Sequence, residues 1–433
     1  MRVLDLLKLI PEERLSFLAD HHKTDHKTKK LPASLLFKLL LYSQFEVKHN
    51  SLRVMENIFS SYAFSHLSDK PKAQKIHYSS ISERLSRADA TFFEALYNDC
   101  LERFSAQLPS KGSKQHQLLR FDSTLISLSS KLIKIGFRSG GSQEHVKQLK
   151  FTMGVSELPE YVSFHHEATF NSENVALKQA ILNCPTSDKC IVVVDAGLQS
   201  REAYDQFFEK GISFITRINP NPRSVVVEEN NLAEVDRQAT GLQIMADRKV
   251  YLYNRTGKKT KHAYRYIEAV RSDNTTLAFL TNIFDLQADE IAGLYKKRWD
   301  IEVFFKFLKQ ELNFSHLLSR SINGIKAILY VRMILSMLII TYQKLNQIKS
   351  GKSAKQRFAL EMEAELMKFI VRLYGGDPDK PPPRWTAYSL LVTLPNTCGY
   401  KRVLKMFLRL RRFFAMQSPY CVKHSLQTSA GNR

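Results

Sequence analysis

Two aspartates stand where carboxylates are least at home. Asp122 interrupts the apolar stretch LLRFDSTLISL, and Asp195 ends the run IVVVDAG. Strand interiors are depleted in Asp, and burying one without a partner is costly. A single such residue reads as a hydrogen-bonded or salt-bridged Asp at a sheet edge. Two of them in neighbouring strands on a strongly basic chain point further. Carboxylates that close repel strongly unless a proton or a cation lies between them. A divalent cation is suited to the place, because Mg²⁺ takes hard oxygen ligands and is held by one or two carboxylates plus a substrate phosphate.

A third acid lies in YKKRWDIEVFFKFLK, residues 295 to 309. On a continuous helix advancing about 100° per residue, Tyr295, Arg298, Glu302 and Lys309 fall within an arc of roughly 60°. Leu294, Ile301, Phe305, Leu308 and Leu312 form an adjacent arc that reads as the buried flank. An i,i+4 ion pair of Arg298 with Glu302 on an exposed face accounts for two of these residues. It leaves Tyr295 and Lys309 on the same line unexplained.

The charge balance says what such a face would meet. Lys and Arg number 64 against 42 Asp and Glu, a formal net charge of +22 over 433 residues. An imbalance of that size favours a polyanionic partner, with nucleic acid ahead of an acidic membrane surface. The five cysteines show no CxxC pair or zinc spacing and read as free thiols of a reducing cytosol. The opening MRVLDLLKLIPEERL reads as an amphipathic helix, not a signal peptide. The apolar run from Ala327 to Tyr342 is 16 residues long and contains Arg332. That falls short of the ~20 residues a span needs, so it reads as a core helix of a soluble protein with no membrane partner.

The elements that must position the acids follow from periodicity. Residues 1–115 read as helical, with HYSSISERL starting a helix capped by Ser79 or Ser80 and Glu83 in the capping box. This Lys-rich region suggests sequence-specific DNA docking, with a packing-only helical domain as the equal alternative. HHKTDHK reads as a solvated loop rather than a metal site. Residues 116–219 give three strands in succession, with RSGGSQ as the turn between the first two, then alternating helices and strands. That pattern predicts a mixed α/β sheet with helices packed on it. NPNPRS opens an antiparallel β-rich insertion over 220–285. Helical sequence resumes over 286–350, and 351–433 is helical and increasingly basic, with KRVLKMFLRLRRFF suited to phosphate backbones or a partner.

The spacing Tyr295-(2)-Arg298-(3)-Glu302-(6)-Lys309 resembles the signature of a large group of bacterial insertion-sequence transposases. These are DDE enzymes with an RNase-H-like catalytic core and a β-rich insertion ahead of the glutamate. FDST around Asp122 and DAGL around Asp195 resemble that group's first and second acidic motifs. The resemblance covers roughly residues 116 to 345. It implies an RNase-H-like mixed sheet flanked by helices, with helical N- and C-terminal regions. It implies that Asp122, Asp195 and Glu302 bind two Mg²⁺ ions, with Mn²⁺ able to substitute. Tyr295, Arg298 and Lys309 would then hold DNA phosphates.

The implied activity is cutting and joining of transposon ends in double-stranded DNA, by a homodimer in the DNA complex. The implied setting is the bacterial cytoplasm, at the nucleoid when DNA is bound. An RNase-H-like nuclease or resolvase without strand transfer, and an inactive DNA-binding regulator of transposition, are the competing readings. Some relatives form a DNA hairpin and stack a flipped base on a Trp in the insertion. Here that region has Tyr251, Tyr253, Tyr264 and Tyr266, which either substitute or are ordinary strand residues. Trp299 either buttresses the site or packs.

Overall fold

The computed structural model describes residues 1–46, 50–61, 64, 65, 68, 74–109, 116–128, 136–138, 147–185, 190–230 and 241–373. The chain divides into two compact units, Met1–Leu96 with Ile334–Arg433, and Tyr97–Met333. The motif KRVLKMFLRLRRFF, most of RSGGSQ, and Cys398 and Cys421 lie outside the described residues.

The first unit is helical: α1 (Val3–Leu7), α2 (Glu12–His21), α3 (Ala33–Glu46), α4 (Leu52–Phe59), α5 (Tyr78–Arg87) and the start of α6 (Ala90–Ser105). The opening segment is two helices, not one. Pro11 occupies the N-cap of α2, where its missing N–H and fixed φ end the preceding turn. The cap of α5 is His77 rather than a serine. Its Nδ1 accepts from the Ser79 backbone N–H at 3.4 Å, which puts Ser79 and Ser80 in the first turn. In the HHKTDHK loop, Asp25 accepts from Arg84 at 2.6 Å and from the Ala33 N–H at 2.7 Å.

The second unit is built on one large mixed sheet. Its strands are β1 (Gln117–Leu128), β2 (Phe137–Arg138), β3 (Lys147–Val155), β4 (Pro159–His165), β5 (Cys190–Val194), β6 (Ser213–Ile218), β7 (Ser224–Glu229), β8 (Leu242–Leu252), β9 (Tyr264–Arg271) and β10 (Thr276–Thr281). β3 pairs antiparallel with both β4 and β1, and β1, β5 and β6 run parallel. That is the RNase-H-like arrangement. The insertion does not form a sheet of its own. β10 pairs antiparallel with β6, and β9, β8 and β7 follow outward.

Helices cover both faces. α7 (Glu173–Asn183) and α8 (Arg201–Glu209) pack Leu177, Ile181, Tyr204 and Phe207 against Leu119, Phe121, Val192 and Val194. On the opposite face, α9 (Ala288–Lys296) packs Ile291 and Tyr295 against Leu118, Ile191, Val193 and Ile215. Side chains alternate between faces along a strand. Arg120, Asp122 and Thr124 therefore share the face of Leu118, and Asp195 would continue the face of Ile191 and Val193. α10 (Trp299–Glu311) follows on that same side.

α11 (Ile322–Leu345) has 24 residues, longer than the apolar run suggested, and is long and apolar enough to cross a membrane by length and composition. Its window is 89% buried inside the protein, as in a core helix. Arg332 within it is 1% exposed and donates to the carbonyls of Phe314, at 3.0 Å, and His316. α12 (Gly351–Leu373) ends the described chain.

Candidate active site

The parallel strands β1 and β5 place the two aspartates side by side. Their last paired residues are Phe121 and Val194, and Asp122 and Asp195 come next on each strand. β5 stops there while β1 runs on, which opens a crevice at the carboxyl end of the parallel strands. That end is where open α/β sheets hold ligands. Asp122 accepts from the Ser123 backbone N–H at 2.7 Å. Burial pushes its carboxyl up to about 6, with Glu173 and Asp195 adding to the rise and Ser123 and Arg298 opposing it.

The segment 295–309 is not one continuous helix. α9 ends at Lys296 and α10 begins at Trp299, joined through a tight turn. The Arg298 N–H bonds Tyr295 O at 2.9 Å, and the Ile301 N–H bonds Arg298 O at 3.1 Å, both i→i−3. β1 anchors this turn. Arg120 donates from Nε to the Lys297 carbonyl at 2.8 Å and pairs through Nη2 with Asp300 at 3.2 Å.

Of the predicted buried flank, Ile301, Phe305, Leu308 and Leu312 are buried, while Leu294, on α9 before the turn, is half-buried. The other flank splits in two. Arg298 Nη2 contacts Glu302 Oε1 at 2.5 Å, the ion pair that helical spacing allows, and its Nε lies 3.9 Å from Asp195 Oδ1. Lys309 Nζ reaches across to Thr124 Oγ1 at 2.8 Å.

Tyr295 departs most from the reading as a DNA-facing residue. Its ring is 9% exposed and packs on Phe279 with centroids 5.1 Å apart. Its hydroxyl donates to Asp195 Oδ1 at 3.2 Å. Burial, then the Asp195 charge, push the phenol up, with Arg298 and Arg217 opposing, so it stays protonated and able to donate. Because the tight turn gives Tyr295 to α9, its direction no longer follows the arc of α10.

Beside these residues lies a cavity of about 500 Å³. Arg217, Arg271, Lys296 and Arg298 line it, with Tyr295 and Trp299. Trp299 is 61% exposed, with only part of its side chain against the cavity wall. In the insertion, Tyr264 and Tyr266 are 0% and 4% exposed and so are strand core residues with no free face. Tyr251 and Tyr253 carry cations over their rings, Lys259 and Arg223 respectively.

A family profile described as "Transposase DDE domain" matches residues 113–338, more than half of the chain. The chain belongs to that family. The DDE-domain chain is 30% identical over 135 residues to the putative transposase y4zB of Sinorhizobium fredii, a stretch covering 31% of this chain and 37% of that protein. It is 23% identical over 277 residues to the probable transposase for insertion sequence element IS5377 of Geobacillus stearothermophilus, covering 61% and 67%. A solved synaptic complex of piggyBac transposase with hairpin DNA superposes at a TM-score of 0.45 and 11% identity, over 92% of this chain and 86% of that one. That likeness is too slight to bear on function.

The donor chemistry suits a divalent ion. Two Asp carboxylates stand abreast, one of them strained by burial, and Arg298 already supplies positive charge to Asp195 and Glu302. Among the described residues no three Asp, Glu, His or Cys side chains converge closely enough for one ion, because Glu302 is turned to Arg298. Two residues at the site had no place in the sequence reading. Arg120 carried a signal, a cation inside an apolar strand. Glu173 carried none.

Proposed function

We propose that this DDE-domain protein is a transposase that cuts the ends of an insertion sequence and joins them to target DNA. The observation that carries this reading is Arg298, which ties Asp195 to Glu302 beside Asp122 at the carboxyl end of β1 and β5. Of the residues in the resemblance, Tyr295 and Arg298 touch Asp195, Arg298 pairs with Glu302, and Lys309 bonds Thr124 on β1, which supports the reading.

Asp122, Asp195 and Glu302 would hold two Mg²⁺ ions. Such a pair activates an attacking oxygen and stabilises a leaving one in phosphoryl transfer. Glu302 joins the two aspartates when a DNA phosphate draws Arg298 away from it. Arg is suited to that exchange, because its planar fork fits carboxylate and phosphate equally. Tyr295 holds Asp195 in orientation through its hydroxyl. Lys309, now on Thr124, stands at the exposed end of α10 where a phosphate can replace the hydroxyl. The cavity next to Asp195, where Arg217, Arg271, Lys296 and Arg298 edge a largely apolar lining, would take part of a DNA strand, and Trp299 offers an exposed aromatic face on which a base can stack. The helical region over 1–115 and the basic region over 351–433 would add DNA contacts, and two copies would act on two ends.

Purified protein, pre-cut ends and a target plasmid in Mg²⁺ test the reading. Joined products are expected. Cleavage without joining would leave a nuclease or resolvase, and no cleavage of cognate ends would leave a DNA-binding regulator. Asp122→Asn, Asp195→Asn and Glu302→Gln should each abolish cleavage while end binding persists. Near-full activity in any one of them would remove that residue from the metal site.

A further inference from the structure

The N-terminus of α7 clamps the loop that carries Asp195. Asn174 Oδ1 accepts from the backbone N–H groups of Gln199 and Ser200, at 2.7 and 3.1 Å. One residue earlier, the Glu173 carboxylate lies over Gly197, in the space a Cβ there would need, with its side chain 46% exposed. The other oxygen, Oε1, lies 3.6 Å from Lys150 Nζ. Lys150 is 3% exposed within β3. Burying an ammonium is tolerable only when it is paired, so β3 commits a charge to Glu173. Glu173 also acts on Asp122 in the same electrostatic sense as Asp195.

An acid in the first turn of a helix is ordinary, since it answers the helix dipole. That role needs neither a buried lysine behind the carboxylate nor a glycine in front of it. Both are present, and the glycine is the second residue after Asp195.

Resting on the two-metal reading above, we infer that Glu173 is a positioning residue of the active site. Pinned by Lys150 against Gly197, it sets the distance of the Asp195 loop from β1. Residues that orient or surround metal ligands typically change metal affinity by about 10–100-fold when replaced.

The test is Mn²⁺ binding by the full chain without DNA, read by electron paramagnetic resonance, alongside thermal melting and end binding in EDTA. Glu173→Gln keeps the shape and removes the charge. It should weaken Mn²⁺ binding about tenfold or more with end binding unchanged, melting should fall because buried Lys150 loses its partner, and Glu173→Asp should recover part of both. Gly197→Ala should displace the Glu173 carboxylate and weaken Mn²⁺ binding with little change in melting. Adding Glu173→Ala should not recover the Mn²⁺ affinity. Wild-type affinity in Glu173→Gln, or recovery of Mn²⁺ affinity in the double variant, would overturn the inference. Asp122→Asn and Asp195→Asn separate the two readings. If they too bind Mn²⁺ as wild type does, or if the wild type binds none, the two-metal reading fails and takes this one with it. If they lose Mn²⁺ while Glu173→Gln keeps it, only the role of Glu173 falls.

Discussion

Arg298 and Glu302 face each other across one helical turn, Nη2 to Oε1 at 2.5 Å, while the same guanidinium stands 3.9 Å from Asp195. The Arg298 side chain is 12% exposed, so water screens these contacts poorly. A cation thus balances the carboxylates before any DNA arrives, and a phosphate that engages Arg298 would release Glu302.

That exchange predicts a salt signature. Each phosphate contact contributes about 0.9 to the slope of log binding constant against log salt on duplex DNA. Arg298→Ala and Lys309→Ala should each weaken end binding and flatten the slope by roughly that amount. Fluorescence anisotropy across a salt series checks this, and an unchanged slope removes the residue from phosphate contact.

Asp122 should make stability depend on pH in an unusual direction. Burial raises its carboxyl from the ordinary 3.8 to about 6, so the folded chain holds this proton more tightly than the unfolded chain. The resulting stabilisation is complete below about pH 4 and lost as pH rises through about 6. Above that, the charged group leaves the fold weaker by on the order of 2–3 kcal/mol. In EDTA, Asp122→Asn should melt on the order of 5 °C higher than wild type at pH 8 and at nearly the same temperature at pH 4. A variant that melts lower at both pH values would mean the carboxylate is not strained.

Tyr295 separates packing from positioning. Tyr295→Phe keeps the ring on Phe279 and loses only the hydroxyl on Asp195. Cleavage should slow by about two- to tenfold with melting and end binding little changed, the size of one hydrogen bond. Tyr295→Ala should instead destabilise the chain by about 3 kcal/mol or more through a cavity. Denaturant unfolding beside single-turnover cleavage distinguishes them. Equal stability loss in both variants would refute the positioning role.

Trp299 should behave in the opposite way. It is 61% exposed, so Trp299→Ala should change stability by less than about 0.5 kcal/mol. Lost stacking on a base should weaken binding of DNA with unpaired end nucleotides by about 1–3 kcal/mol. Comparing fully paired and frayed end substrates reads this directly. Equal affinity of wild type and variant on both substrates would leave Trp299 without a DNA contact.

The sequence by itself determined the mixed α/β class and the order in which helices and strands appear, and it singled out three candidate acids, because alternation and helical spacing are local signals. Asp122 was legible as a charge inside an apolar strand, and Glu302 as a carboxylate between cations at helical intervals. The buried flank of α10 followed from the same spacing. Only the tertiary structure decided where side chains on separate segments meet. One i→i−3 turn between α9 and α10 swung Tyr295 inward onto Asp195, and periodicity cannot see it because that periodicity assumes an unbroken helix. Antiparallel pairing of β10 with β6 made the insertion a continuation of the core sheet, a choice made by partners far apart in the chain. Glu173 enters the site because α7 starts against Gly197 with Lys150 buried behind it. Three segments supply that contact, and no one of them announces it.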